Sequence, residues 1–101
     1  RGPVPLRDDE WRDDFFHCSV EAAQLVARGG LRLLGLDTPS MDFMTSKELD
    51  AHKALVSGGV AILENLDLKL VPDGRYELIA LPLKIAGSDG SLVRAILRDL
   101  P

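Results

Sequence analysis

Two short apolar segments, each entered from a Gly-Gly pair and each followed by an acid, constrain the fold of this chain most. L-R-L-L-G-L at residues 31–36 leads into Asp37, and V-A-I-L at residues 60–63 leads into Glu64. Runs of this length are typical of buried strands, and Gly-Gly is typical of a helix end. Each segment therefore predicts a strand that follows a helix, and this alternation favours parallel pairing of the two strands.

The segments before the two Gly-Gly pairs have the periodicity of amphipathic helices. The first begins at Ser19, a favourable N-cap. Its expected inward face holds Val20, Ala23, Val26 and Ala27. In the second, Thr45 or Ser46 is the expected N-cap. Its expected inward face holds Leu49, His52, Leu55 and Val56. His52 is thus predicted on or beside the buried face of the helix that leads to Glu64.

The last third of the sequence predicts a β-hairpin. Residues 76–85 and 92–97 are strand candidates joined by the turn A-G-S-D-G-S. Pro82 is expected to interrupt the first strand or to place it at an edge or bulge. Together with the helix–strand units, the hairpin predicts the α/β class, with a mixed sheet and flanking helices. Residues 1–18, with their prolines and acids, are predicted as a loop or linker.

Composition and charge argue against several classes of partner. The 101 residues carry 12 Lys and Arg and 16 Asp and Glu, for a net charge of −4, and the basic residues are scattered apart from the weak pair Arg94 and Arg98. This pattern is not that of a nucleic-acid-binding protein. No apolar run approaches the ~20 residues of a membrane span, and the first residues do not form a signal peptide.

The single cysteine, Cys18, cannot form an internal disulfide, so we expect a reducing, cytoplasmic compartment. Its neighbour is His17, yet no second cysteine supports a metal cluster. Cys18 is therefore interpreted as a half-buried small residue at a loop-to-helix junction, and not as a nucleophile or ligand.

His52 and Glu64 are the candidate metal ligands. An acid at the end of an apolar strand lies near the protein interior, where its charge needs a partner. Ligand sites in α/β sheets lie at the carboxyl ends of strands, which also brings Asp37 into consideration. Spacing alone leaves alternatives open, since His52 could be a partly buried structural histidine and Glu64 a hydrogen-bonded loop acid. Asp37 and Asp42 are expected to bind nearby backbone N–H groups.

Five segments of the chain occur in one known family in the same order and spacing. They are G-L-D-T-P-S-M-D, S-K-E-L-D-A-H, I-L-E-N-L, L-I-A-L-P-L-K-I-A-G-S-D-G-S and V-R-A-I-L. Together they resemble the C-terminal half of the cyclase family of metal-dependent hydrolases, which includes bacterial kynurenine formamidases (arylformamidases) and isatin hydrolases. The resemblance implies a swivelling β/β/α fold, of which residues 19–101 would form the C-terminal half.

The resemblance also implies a metal-dependent amide or lactam hydrolase acting on N-formylkynurenine or a related N-acyl aromatic amine. It matches His52 and Glu64 to two ligands of a site that holds zinc ions in the formamidases, and manganese also suits such ligands. The family's remaining ligands lie in an upstream H-x-G-T-H-x-D segment, followed by a proton-shuttling histidine. This chain lacks that segment, His17 is not in its context, and Leu92 stands where the family usually has proline.

The missing segment leaves three interpretations of the function. The chain is half of an enzyme that is inactive alone and works as a homo-oligomer or with the missing N-terminal half; or it is a non-catalytic module that needs a partner chain; or it is a small-ligand-binding α/β domain. No catalytic residue beyond the two ligands is assigned. The first residue is Arg1 and not Met, so we expect a chain that begins inside a longer gene product or has been processed or trimmed.

Overall fold

The structure is a computed structural model that describes residues 16–43 and 45–101. The elements in chain order are α1 (Val20–Arg28), β1 (Leu33–Gly35), α2 (Asp50–Ser57), β2 (Ala61–Leu63), β3 (Tyr76–Pro82) and β4 (Val93–Asp99). They form two units, divided between Leu68 and Lys69. The predicted linker lies mostly outside the described residues, so its assignment stays a prediction.

The first unit contains α1 and α2 packed together beside the parallel pair β1–β2. Ser19 caps α1 as predicted, because its Oγ accepts a hydrogen bond from Ala22 N at 3.1 Å. The helices approach closely at Gly58, where an added Cβ would lie 2.5 Å from the Cβ of Ala27. The next residue, Gly59, turns the chain into β2 with a φ of +75°, which glycine adopts at little cost.

The core of the first unit is small and lies between the helices and the loop after β1. Its fully or nearly fully buried side chains are Ala23, Met41, Ala51, Leu55 and Val60. Two residues predicted on the inward face of the second helix are not buried, since Leu49 is 42% exposed and Val56 is 66% exposed. The prediction was wrong there because the residues that α2 buries in the core are Ala51 and Leu55, and this rotation leaves His52 half-buried.

The prediction that Thr45 or Ser46 caps α2 was also wrong. The helix begins at Asp50, and Leu49 before it has a left-handed φ of 51° and makes no side-chain cap. Ser46 instead closes a local turn, since its Oγ accepts from Leu49 N at 3.1 Å. The first N–H groups of α2 are bound by Asp42, which lies too far back in the sequence for a local capping pattern to reveal.

The second unit is the predicted β-hairpin, in which β3 and β4 pair antiparallel from Tyr76–Asp99 to Pro82–Val93. Pro82 is the last residue of β3. This position suits proline, because it has no N–H group to donate within a strand interior. The α/β class, with parallel and antiparallel pairing and flanking helices, is confirmed. The two kinds of pairing form separate two-stranded sheets in the described residues, where the sequence predicted one mixed sheet. No helix in residues 16–43 and 45–101 is long and apolar enough to cross a membrane.

Candidate metal centre

The loop after β1 lies against the segment after β2. Because β1 and β2 are parallel, their carboxyl ends meet at the same edge, and hydrogen bonds join the chain segments that leave it. Leu36 N donates to Leu63 O at 2.9 Å, and Asn65 N donates to Thr38 O at 2.9 Å. Residues 36–42 are thereby held beside Glu64, the acid that follows β2.

Glu64 is fixed by the backbone of that loop. Its Oε2 accepts a hydrogen bond from Met41 N at 2.7 Å, and the side chain of Met41 is fully buried in the core. The next residue, Asn65, has a positive φ of 58°. One short hydrogen bond therefore connects the Glu64 carboxylate to the backbone of a core residue, Met41.

Asp42 accepts three hydrogen bonds at the start of α2. Its Oδ1 accepts from Ala51 N at 2.9 Å, and its Oδ2 accepts from His52 N at 3.0 Å and lies 2.6 Å from His52 Nδ1. Asp42 is only 3% exposed. Burial by itself raises the pKa of this carboxyl, but the hydrogen bonds from His52 and Ala51 outweigh it, and the pKa of Asp42 falls below its ordinary value.

The opposite edge of the His52 ring faces Glu64. His52 Nε2 lies 3.1 Å from Glu64 Oε2, and the two side chains are 26% and 27% exposed. The imidazole thus lies between two carboxylates, with the buried Asp42 on one side and the partly exposed Glu64 on the other. Glu64 and the Nε2 edge of the ring form a small centre that solvent can reach.

The pair fits a divalent metal ion. Two ligand atoms on one tetrahedral zinc ion, each about 2.0–2.1 Å from it, lie about 3.3 Å apart. The observed 3.1 Å between Nε2 and Oε2 is close to that separation. Imidazole and carboxylate are a donor set that zinc and manganese accept. No group of three His, Cys, Asp or Glu side chains that could hold a metal ion occurs in residues 16–43 and 45–101, whereas catalytic zinc sites usually have three protein ligands. His52 and Glu64 are thus two candidate ligands for such a site.

The structure brings together the two predicted ligands and leaves the third candidate apart. Asp37 is exposed on the loop surface. Sequence reasoning expected Asp42 to bind backbone N–H groups, which it does, but missed its contact with the His52 ring. One signal could have revealed it: an apolar residue, Leu49, stands before α2, so the helix needs its cap from elsewhere.

Cys18 is half-buried ahead of α1, as predicted. Its backbone N–H donates to Met41 O at 2.7 Å, so it helps to hold the loop that carries Asp42. Burial, and then the charge of Asp42, raise the pKa of the Cys18 thiol. A thiol that stays protonated is a poor nucleophile and a poor metal ligand.

Comparison with known proteins identifies relatives over nearly the whole chain. Kynurenine formamidase from Erythrobacter litoralis is 50% identical over 93 residues, which is 92% of this chain and 43% of the enzyme. A solved structure of a potential metal-dependent hydrolase with cyclase activity superposes with a TM-score of 0.79 at 35% identity, covering 89% of this chain and 44% of the other. A predicted metal-dependent hydrolase from Bacillus stearothermophilus superposes equally well and is covered to 43%.

No protein-family model matches the chain. The resemblance to cyclase-type hydrolases is nevertheless confirmed by the relatives and by the solved structures, over 89% or more of the chain's own length. The chain spans less than half the length of the relatives that it matches.

Proposed function

Because this chain is related over its own length to the cyclase-type, metal-dependent hydrolases, we propose that it supplies two ligands, His52 and Glu64, to the metal centre of an arylformamidase-type enzyme. The metal is zinc, or manganese, to which the same donor set is suited. The observation that carries the proposal is the 3.1 Å approach of His52 Nε2 to Glu64 Oε2 at a partly exposed position.

The proposed reaction is hydrolysis of N-formylkynurenine or a related N-acyl aromatic amine. Water adds to the acyl carbon, the C–N bond breaks, and the products are the free acid, formate for a formyl group, and the aromatic amine. A divalent cation held by His52 and Glu64 would supply Lewis-acid activation of the water and of the scissile carbonyl.

The residues of this chain hold and orient that centre. His52 offers Nε2 because its other ring nitrogen is engaged with Asp42. Glu64 offers a carboxylate whose Oε2 is already positioned by Met41 N. The partial exposure of both side chains leaves room for further ligands and for a small amide substrate. A small-molecule substrate agrees with the net charge of −4, which does not favour nucleic acid.

The proposed partner is the part of the fold that the longer relatives contain and this chain does not match. Alternatively, the chain works as a homo-oligomer. The β3–β4 hairpin supports this, because a two-stranded hairpin is marginally stable by itself. Its two faces both carry exposed apolar side chains, with Leu78 39% and Leu97 40% exposed on one face and Leu81 73% and Ile96 49% exposed on the other. These surfaces need a covering that the described residues of the hairpin do not provide. We place the assembly in the cytoplasm, as expected for a chain with a single cysteine.

The test is complementation of activity. This chain is mixed with the part of the Erythrobacter litoralis enzyme outside the matched region, and zinc or manganese is added. The mixture is expected to hydrolyse N-formylkynurenine, and His52→Ala and Glu64→Ala are expected to abolish both hydrolysis and metal binding. Lys53→Ala is the matched control, because Lys53 is exposed on the same helix beside His52. Metal binding that survives both alanine substitutions would refute the ligand assignment.

The second candidate function is a non-catalytic interaction module. The exposed apolar faces of the hairpin favour it, since they indicate a partner whether or not chemistry follows. Mixing experiments separate the two functions: a tight complex that binds no metal supports the module, and metal-dependent hydrolysis supports the enzyme.

A further inference from the structure

We propose that Asp42 is a positioning residue that fixes His52 in the tautomer protonated at Nδ1, so that Nε2 presents a free lone pair beside Glu64. The role in metal binding rests on the proposed metal centre, whereas the tautomer of His52 is inferred from the contacts of its ring with Asp42 and Glu64. It assigns a role to a residue that the resemblance did not include among the ligands.

The first step concerns what Asp42 can accept. Two backbone N–H groups, from Ala51 and His52, already donate to its two oxygens, so the orientation of the carboxylate is fixed. A carboxylate in this position has only acceptor atoms to offer the ring. A neutral ring carries one proton, and the 2.6 Å contact of Nδ1 with Asp42 is shorter than the 3.1 Å approach of Nε2 to Glu64, whose Oε2 already accepts from Met41 N. The geometry therefore favours the proton on Nδ1.

The second step concerns how firmly the ring is held. Asp42 Oδ2 contacts both the backbone nitrogen and the ring nitrogen of His52, so one oxygen fixes the residue and its side chain together. The carboxylate is 3% exposed, which limits competition from water. The ring cannot rotate away from Glu64 without breaking the Nδ1 bond. Carboxylates that accept from the second nitrogen of a ligating histidine fix its tautomer and make it a better ligand.

The third step separates positioning from capping. Asp42 also serves as the cap of α2, so its removal weakens the helix start whatever the ring does. Asp42→Asn removes the charge and leaves one carbonyl oxygen where Asp42 has two acceptor atoms. The Glu64 carboxylate, 3.1 Å from Nε2, is then the stronger acceptor beside the ring, so His52 is expected to carry its proton on Nε2, where it blocks metal binding. Ser46→Ala is the matched control, because it removes a hydrogen bond to Leu49 N at the same helix entrance without touching His52.

The decisive experiment is NMR of the metal-free chain labelled with ¹⁵N-histidine, at a pH where the imidazole is neutral. The sequence has two histidines, so the His17→Gln variant assigns the spectrum. We expect wild type and Ser46→Ala to show His52 protonated at Nδ1, and Asp42→Asn to show it protonated at Nε2. An Nε2–H tautomer or an even mixture in the wild type would overturn the proposal, and that measurement needs no variant to fold.

A second measurement is the zinc affinity of the same three proteins, each mixed with the complementary part of the Erythrobacter litoralis enzyme, by competition with a chromophoric chelator. Asp42→Asn is expected to bind zinc about 10–100-fold more weakly, and Ser46→Ala within about twofold of wild type. Equal affinity of wild type and Asp42→Asn would refute the positioning role. If the mixture with the wild-type chain binds no zinc, the metal proposal fails, while the tautomer measurement still decides the role of Asp42.

Discussion

Glu64 and Met41 are joined by a 2.7 Å hydrogen bond from the Met41 backbone N–H to Glu64 Oε2, across 23 residues of sequence. The bond ties a partly exposed carboxylate to a loop whose methionine side chain is fully buried. The position of the candidate ligand is therefore coupled to the core of the first unit. Substitutions at Glu64 should change stability as well as metal binding, and the two effects can be separated.

Glu64→Gln and Glu64→Ala should separate those two effects. Gln keeps an oxygen that accepts from Met41 N but loses the charge, so we expect stability close to wild type and a large loss of zinc affinity. Ala leaves the Met41 N–H without its acceptor and should cost about 1–3 kcal/mol of unfolding free energy as well. Urea denaturation and zinc titration measure the two quantities. Equal stability of the Gln and Ala variants would show that the Met41 bond contributes nothing.

The stabilisation by Asp42 should depend on pH. Its folded-state pKa is lowered, because the hydrogen bonds from His52 and Ala51 outweigh its burial. The stabilisation is therefore complete above the unfolded-state pKa, near the ordinary 3.8, and is lost as the pH falls through the lower folded-state value. Asp42→Asn should be less stable than wild type by about 1–3 kcal/mol at pH 7, with a difference that shrinks in acid.

The control for this pH dependence is Ser46→Ala, which removes a hydroxyl that does not titrate. Its stability difference from wild type should stay constant between neutral and acidic pH. Urea denaturation of the three proteins at several pH values provides the comparison. A difference between wild type and Asp42→Asn that does not shrink in acid would contradict the lowered pKa.

Local sequence signals predicted most of the secondary structure. The Ser19 cap, the Gly-Gly ends and the alternating hairpin strands each depend on neighbours within a few residues, and α1, β1, β2 and the hairpin follow from them. The start of α2 was missed because its cap, Asp42, acts across nine residues. The predicted burial of the residues of α2 was partly wrong for a related reason. The close approach to α1 at Gly58 and Ala27 decides which side of the helix faces inward.

The sequence could predict one of the two main contacts of the candidate centre, that of His52 with Glu64, but not that of His52 with Asp42. The proximity of His52 and Glu64 follows from a rule, because acids after parallel strands lie at one edge and the intervening helix returns to it. The contact of Asp42 with the ring follows from no spacing rule. It depends on the path of the loop, which is set by Cys18 N and Asn65 N through their bonds to Met41 O and Thr38 O. Such long-range loop contacts are absent from local patterns.

Gly58→Ala should destabilise the first unit. The new Cβ would lie 2.5 Å from the Cβ of Ala27, so one helix must move, at a cost of about 1–3 kcal/mol. Ala27→Gly in the same chain should recover part of the loss, because the Ala27 Cα at 3.1 Å still crowds the new methyl. Thermal denaturation of the single and double variants measures the coupling. Purely additive effects would contradict the close contact of the two helices.

Thr38→Val should leave stability unchanged or raise it by about 1 kcal/mol. Thr38 is 1% exposed, and its Oγ1 has no hydrogen-bond partner among residues 16–43 and 45–101, so the hydroxyl is buried at a cost. Valine has nearly the same shape, and the backbone bond from Asn65 N to Thr38 O does not involve the side chain. Thr38→Ser, which keeps the hydroxyl and loses the methyl, should be destabilised by roughly 1 kcal/mol. Urea denaturation distinguishes the variants, and a Val variant clearly less stable than wild type would show that the hydroxyl has a partner beyond those residues.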